Sequence, residues 1–196
     1  MPISSIILSG GLATRMGGVD KGLVLLQDKP LVQYVISRLA PQVDEILINA
    51  NREIIQYQGF GYRVLEDDTP DFIGPLAGFS LGLKHAKHEY LLTVPCDSPC
   101  LPIDLAERLL AGLIDNNADI AVSASEGDVH PVFALCKTSA LPSLTSYLQQ
   151  GARKVSAWQK NLHYIEVDFS DNADAFINLN TFEELNALAL KLSQSN

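Results

Sequence analysis

Residues 3–22 read Ile-Ser-Ser-Ile-Ile-Leu-Ser-Gly-Gly-Leu-Ala-Thr-Arg-Met-Gly-Gly-Val-Asp-Lys-Gly. An apolar run of strand length stops at Gly10-Gly11 and gives way to a loop that carries Arg15, Gly17, Gly18 and Lys21. Glycines lack a Cβ, so backbone N–H groups there can approach an anion closely, and the two cations can neutralise it. The stretch reads as a polyphosphate cradle at the end of a buried first strand. It is neither a Walker loop nor a dinucleotide fingerprint, because neither G-x-x-x-x-G-K-[ST] nor G-x-G-x-x-G occurs.

Outward from this loop, strand-length apolar runs alternate with segments of helical period. The spacing predicts strands over 3–9, 45–49, 62–65 and 90–94, with helices over 31–41 and 76–86 between them. That order implies a parallel sheet covered on both faces. Further on, the pattern gives a helix over 103–114, strands over 119–124 and 130–135 around the turn Glu126-Gly127-Asp128, and a helix near 138–149. A short helix over 153–159, a strand over 162–167 and a final helix over 182–192 complete the chain. The two strands around the turn are close enough to form a hairpin, which would bring one antiparallel strand into the sheet. Thr181-x-x-Glu184 is a capping box for the last helix. The expected fold is therefore α/β: a doubly wound, mostly parallel, Rossmann-like sheet in a single domain over 1–196. Its halves would be 1–100, which carries the cradle, and 101–196.

The 196 residues are 47% hydrophobic and 19% charged, enough for a substantial core and incompatible with disorder or a collagen-like chain. Fourteen Lys+Arg against 23 Asp+Glu leave a net charge of −9, the wrong sign for tracking nucleic acid or an anionic membrane. No run approaches the roughly 18 to 20 apolar residues of a membrane span, and residues 1–11 show no basic leader or cleavage site, so a cytoplasmic location is expected. Cys96, Cys100 and Cys136 are odd in number and are expected as free thiols. His85, His88, His130 and His163 form no metal-ligand set by spacing.

In open α/β sheets the ligand crevice lies beyond the carboxyl ends of the parallel strands. Chemistry-bearing residues do follow the strands: Leu8-Ser9-Gly10-Gly11 the first, Asn49-Ala50-Asn51 the second, Glu66-Asp67-Asp68 the third and Pro95-Cys96-Asp97 the fourth. Asp97 offers carboxylate oxygen to a hard cation such as Mg²⁺. Asn49 and Asp67 bring an amide and a carboxylate, with hydrogen-bond donors and acceptors, to the same sheet edge.

The run L-S-G-G-x-x-x-R-M-G-G-x-D-K-G-L over 8–23 resembles the nucleotide-binding loop of the molybdenum cofactor guanylyltransferases. Further segments match in order: Asn49-Ala50-Asn51-Arg52, Glu66-Asp67, Gly74-Pro75-Leu76-Ala77-Gly78, Pro95-Cys96-Asp97-Ser98-Pro99, His130-Pro131 and Asn178-Leu179-Asn180-Thr181. Ser9 stands where that family usually has Ala, Phe182 where Pro is common, and 151–160 matches loosely.

The resemblance implies transfer of GMP from GTP to molybdopterin carrying molybdenum, with release of pyrophosphate. It implies Leu8, Ser9, Gly10, Gly11 and Lys21 around the nucleotide, Arg15 and Lys21 on the departing phosphates, Asn49 and Asp67 against guanosine, and Asp97 on Mg²⁺. His130, Asn178 and Asn180 are acceptor-side candidates. Molybdenum cofactor insertion proteins or acceptor molybdoenzymes would be protein partners, and neither nucleic acid nor a membrane is expected. Rival readings are a cytidylyltransferase on the same acceptor, which usually carries Ala-Gly at 10–11, another small-molecule nucleotidyltransferase, and a non-catalytic GTP-binding regulatory module.

Overall fold

The computed structural model describes residues 1–9, 18, 20–68, 74–177, 179 and 181–194. Gly10, Gly11, Arg15, Asn178 and Asn180 lie outside them.

The first half is built as β1 (Ile3–Leu8), β2 (Leu25–Leu26), β3 (Lys29–Pro30), α1 (Leu31–Leu39), β4 (Glu45–Asn49), α2 (Ile54–Gln58), β5 (Arg63–Leu65), α3 (Pro75–His85) and β6 (Tyr90–Pro95). The second half contributes α4 (Leu105–Asp115), β7 (Ile120–Ser125), β8 (Asp128–Lys137), α5 (Leu141–Gln149), α6 (Val155–Gln159), β9 (Tyr164–Asp168) and α7 (Phe182–Gln194). Seven strands form one sheet in the order β5-β4-β1-β6-β8-β7-β9, while β2 and β3 form a separate small ribbon. β1 is parallel to β4 and β6, and β5 is parallel to β4. β8 is the antiparallel strand, paired with both β6 and β7, and β9 returns parallel to β7.

Two-sided burial explains the largely apolar reading of the central strands. On β1, Ile3 and Ile7 enter one core with Val32, Val35 and Leu39 of α1 and Leu105 and Leu109 of α4. Ile6 points to the opposite core, with Leu76 and Phe79 of α3, Leu144 of α5 and Trp158 of α6. α3 lies close on the sheet because two glycines a turn apart face it. A Cβ on Gly82 would fall 2.7 Å from Leu91 Cδ2, and one on Gly78 would fall 2.3 Å from Leu8 Cδ2.

The β7–β8 hairpin closes through Glu126 and Gly127, both with positive φ (52° and 89°), the pair of left-handed residues that a two-residue hairpin loop requires. The box at α7 is reciprocal: the Thr181 N–H donates to Glu184 Oε2 at 3.0 Å, and the Glu184 N–H to Thr181 Oγ1 at 3.2 Å. Among the described residues no helix is long and apolar enough to cross a membrane.

Periodicity did not disclose α2. It has five residues and begins after Glu53, whose φ of 47° is left-handed.

Candidate active site at the carboxyl edge of the sheet

The register brings the strand ends level. Leu8 is the partner of Asn49 on one side and of Pro95 on the other, and Asn49 is also the partner of Leu65. Backbone pairing continues past the strands, with the Ser9 N–H donating to the Asn49 carbonyl (2.8 Å) and the Cys96 N–H to the Leu8 carbonyl (3.2 Å). Connections leave β1 towards β4 on one side, and the chain returns through α3 to β6 on the other. The crevice of a doubly wound sheet opens at such a reversal, here between Ser9 and Asp97.

On the β6 side, Lys21 forms an ion pair with Asp97, the two side chains being 19% and 8% exposed. A single turn of 3₁₀ helix over Lys21–Leu23 presents the lysine. Asp20 caps that turn by accepting the Gly22 N–H at 3.2 Å, and the hydroxyl of the fully buried Tyr57 donates to the same Asp20 oxygen. Burial raises the Asp20 carboxyl above its ordinary value despite the lowering effect of these two bonds. The neighbouring Cys96 thiol is pushed far up by burial, with the Asp97 and Asp20 charges adding to the effect, so it is no nucleophile at neutral pH. Cys96, Cys100 and Cys136 are free.

On the β4 side the asparagines serve the carboxylate. Asn49 Nδ2 donates to Asp67 Oδ1 (2.9 Å) and to the Leu65 carbonyl (3.3 Å); Asn51 Nδ2 donates to Asp67 Oδ2 (2.7 Å); and the Asp67 N–H returns a bond to Asn51 Oδ1 (2.8 Å). Asn49 is 4% exposed, whereas Asp67 is half-buried. Asn49 is therefore a brace, and Asp67 is the group turned outward. Gly78 completes the brace, since a Cβ there would stand 2.7 Å from Asn49 Oδ1.

Among the described residues no three His, Cys, Asp or Glu side chains gather as a metal cage. One buried carboxylate at the crevice, Asp97, instead fits a hard cation that takes most of its oxygens from phosphates and water.

Residues 5–163 match the MobA-like NTP transferase domain. A molybdenum cofactor guanylyltransferase of Polynucleobacter asymbioticus is 50% identical over 194 residues, covering 97% of each chain. One from Shewanella putrefaciens is 46% identical over 188 residues, covering 96% of each. The chain belongs to the molybdenum cofactor guanylyltransferase family. It is a nucleotidyltransferase, and enzymes of this kind generally use a divalent metal. Its fold is shared with molybdopterin-guanine dinucleotide biosynthesis protein A of Archaeoglobus fulgidus (TM-score 0.81, 20% identity, 97% and 99% of the two chains). It is shared also with a nucleotidyl transferase of Methanothermobacter thermautotroptrophicus (TM-score 0.76, 17% identity, 100% and 99%).

In this guanylyltransferase the antiparallel β8 carries His130 to the same edge, because its early residues run past the end of β6. The ring stacks on Phe176 (centroids 4.5 Å apart, planes 6° apart) beside Phe133, and its Nε2 lies 2.7 Å from Ser125 Oγ. Burial lowers its pKa, which keeps the ring neutral near pH 7. Leu179 donates its N–H to the Asp97 carbonyl at 3.2 Å, which ties it to the chain just past β6. Arg153 donates to the Leu148 and Ala152 carbonyls.

A cavity of about 390 Å³ is lined by Cys100, Leu179 and Leu188, with Arg38 and Lys191 opposed by Asp174 and Glu184. Its balanced charges make it a poor seat for a phosphate.

Sequence reading missed Tyr57, Asn51 as a partner of Asp67, and the reason for Gly78. Asp20 and Gly78 stood in the quoted motifs without a role, and Tyr57 left no signal.

Proposed function

We propose that the chain transfers GMP from GTP to the terminal phosphate of molybdopterin carrying molybdenum, giving the dinucleotide cofactor and pyrophosphate. The observation that carries this reading is the Lys21–Asp97 pair at the crevice, an ammonium for phosphate oxygens beside a carboxylate for a cation. Residues 1–100 would hold the nucleotide and 101–196 the acceptor.

The reaction asks the protein for positioning and charge stabilisation. An oxygen of the acceptor phosphate attacks the α-phosphorus, the bond from that phosphorus to the β-bridging oxygen breaks, and pyrophosphate leaves. The attacking oxygen is already anionic at neutral pH, so no general base is needed. Lys21, with Arg15, would draw the β,γ-phosphates away from the acceptor, and the backbone at Leu8, Ser9, Gly10 and Gly11 would line the nucleotide. Asp97 would hold the divalent cation, Mg²⁺ in this reading, which would offset the charge of the phosphates when bound.

Guanine presents two adjacent donors, N1–H and the 2-amino group. A carboxylate accepts both, whereas cytosine and adenine each offer one donor beside an acceptor. Asp67, held by Asn49 and Asn51, has lone pairs left for that purpose. On the far side His130, Asn178 and Asn180 would meet the acceptor, the neutral His130 ring offering a flat face and a hydrogen bond in place of charge.

Incubation with GTP, Mg²⁺ and molybdenum-loaded molybdopterin tests the reading. One pyrophosphate should appear for each dinucleotide product identified by mass. GTP binding without product would instead favour the regulatory module.

A further inference from the structure

Tyr57 lies on α2, and its ring is fully buried in the apolar cluster that includes residues of α1, β1 and β4. Phenylalanine would satisfy that cluster, and a buried hydroxyl is costly unless bonded. The hydroxyl donates to Asp20, whose carboxylate oxygen also takes the Gly22 N–H and so fixes the turn that carries Lys21. The fit admits nothing larger than glycine, because a Cβ on Gly22 would stand 2.5 Å from the Tyr57 hydroxyl oxygen and 3.2 Å from Cys96 Cβ. Cys96 is the neighbour of Asp97, so the turn is clamped between Tyr57 and the strand end that bears the partner of Lys21. Glu53, in the left-handed conformation, bends the chain into α2 and brings Tyr57 beneath the turn; an outlier of this kind persists only where surrounding structure holds it.

We propose that Tyr57 is a positioning residue for the triphosphate: through Asp20 it sets the 21–23 turn so that the Lys21 ammonium stands beside Asp97. This rests on the reading of Lys21 as a phosphate cation. In this arrangement the effect of Tyr57 on the triphosphate runs through the lysine.

A double-mutant cycle separates positioning from general support. Binding of GTP and of guanosine, each with Mg²⁺, is measured for the unaltered chain, Tyr57→Phe, Lys21→Ala and the double variant. Tyr57→Phe should weaken GTP binding about tenfold, the scale of one charge-assisted hydrogen bond, and leave guanosine binding unchanged. In the Lys21→Ala background the same substitution should change GTP binding by less than about twofold, because the group being positioned is gone. An undiminished loss in that background, an equal loss for guanosine, or unchanged GTP affinity in Tyr57→Phe overturns the proposal. Unchanged GTP affinity in Lys21→Ala overturns the reading of Lys21 and the proposal with it. If Tyr57→Phe does not fold, Asp20→Ala removes the other end of the same bond and must show the same non-additivity.

Discussion

The edge formed by β5, β4, β1 and β6 and the edge formed by β8, β7 and β9 are halves of one sheet, yet they place polar groups by different means. In the first, all strands run the same way, so Ser9, Asn49, Asp67 and Asp97 arrive at one edge simply by following strands. Their polar atoms are then tied into short local networks, Asn49–Asp67–Asn51 on one flank and Lys21–Asp97 on the other. In the second, β8 is reversed and its register against β7 shifts between Val122 and Ser123, so His130 reaches the edge from the start of its strand and is held by stacking on Phe176. Parallel strands make a site by position, whereas the reversed strand makes one by aromatic packing.

Substitutions on the two edges should therefore fail differently. The largest effect belongs to Asp97→Asn, which keeps the side-chain shape and removes the charge that would hold the cation. Transfer should fall about a hundredfold or more while the melting temperature drops by only a few degrees, as checked by initial rates at varied Mg²⁺ and by thermal unfolding. Near-normal turnover with ordinary Mg²⁺ dependence would remove Asp97 from the mechanism.

Next comes Asp67→Asn, which exchanges one of two acceptor oxygens for a donor where guanine would sit. The preference for GTP over CTP in kcat/KM should shrink about tenfold, with the CTP rate itself little altered. A parallel fall for both nucleotides would make Asp67 a structural residue.

Gly78→Ala tests the brace sterically. Overpacking against Leu8 and Asn49 costs about 1 to 3 kcal/mol, partly offset by about 1 kcal/mol of helix propensity, so denaturant unfolding should report a net loss near 1 kcal/mol. Nucleotide selectivity should suffer with it, because Asn49 must move.

The smallest effect lies on the second edge. The folded pKa of His130 is below its ordinary value, so its contribution to stability is present above about pH 6.5 and is lost as the pH falls below that value towards the folded pKa. Thermal unfolding between pH 7 and 5.5 should show His130→Phe losing less stability than the unaltered chain, by about a degree or two given the half-exposed ring.

The same contrast governs what was legible in the sequence. Asn49, Asp67 and Asp97 could be found because each lies at or just past the end of a predicted strand, and the doubly wound order follows from the alternation of those strands with helices. Tyr57 was hidden because a five-residue helix has no measurable period and its bond to Asp20 spans two elements. Gly78 was visible as a glycine, but its reason is a distance to Leu8 and Asn49 that only the packed helix reveals. The His130–Phe176 stack joins segments with no shared pattern, so neither predicts the other. Position along a strand can be read from one chain; side-chain partners across elements depend on the packed fold.

The central claim is that the parallel edge selects guanine and transfers its nucleotide. Pyrophosphate release by the unaltered protein with molybdenum-loaded molybdopterin, followed in parallel with GTP, CTP and ATP at equal concentration, tests it most directly. GTP should exceed the other two by at least about tenfold, since Asp67 would be left facing an acceptor in either rival base. Equal turnover with CTP would contradict it.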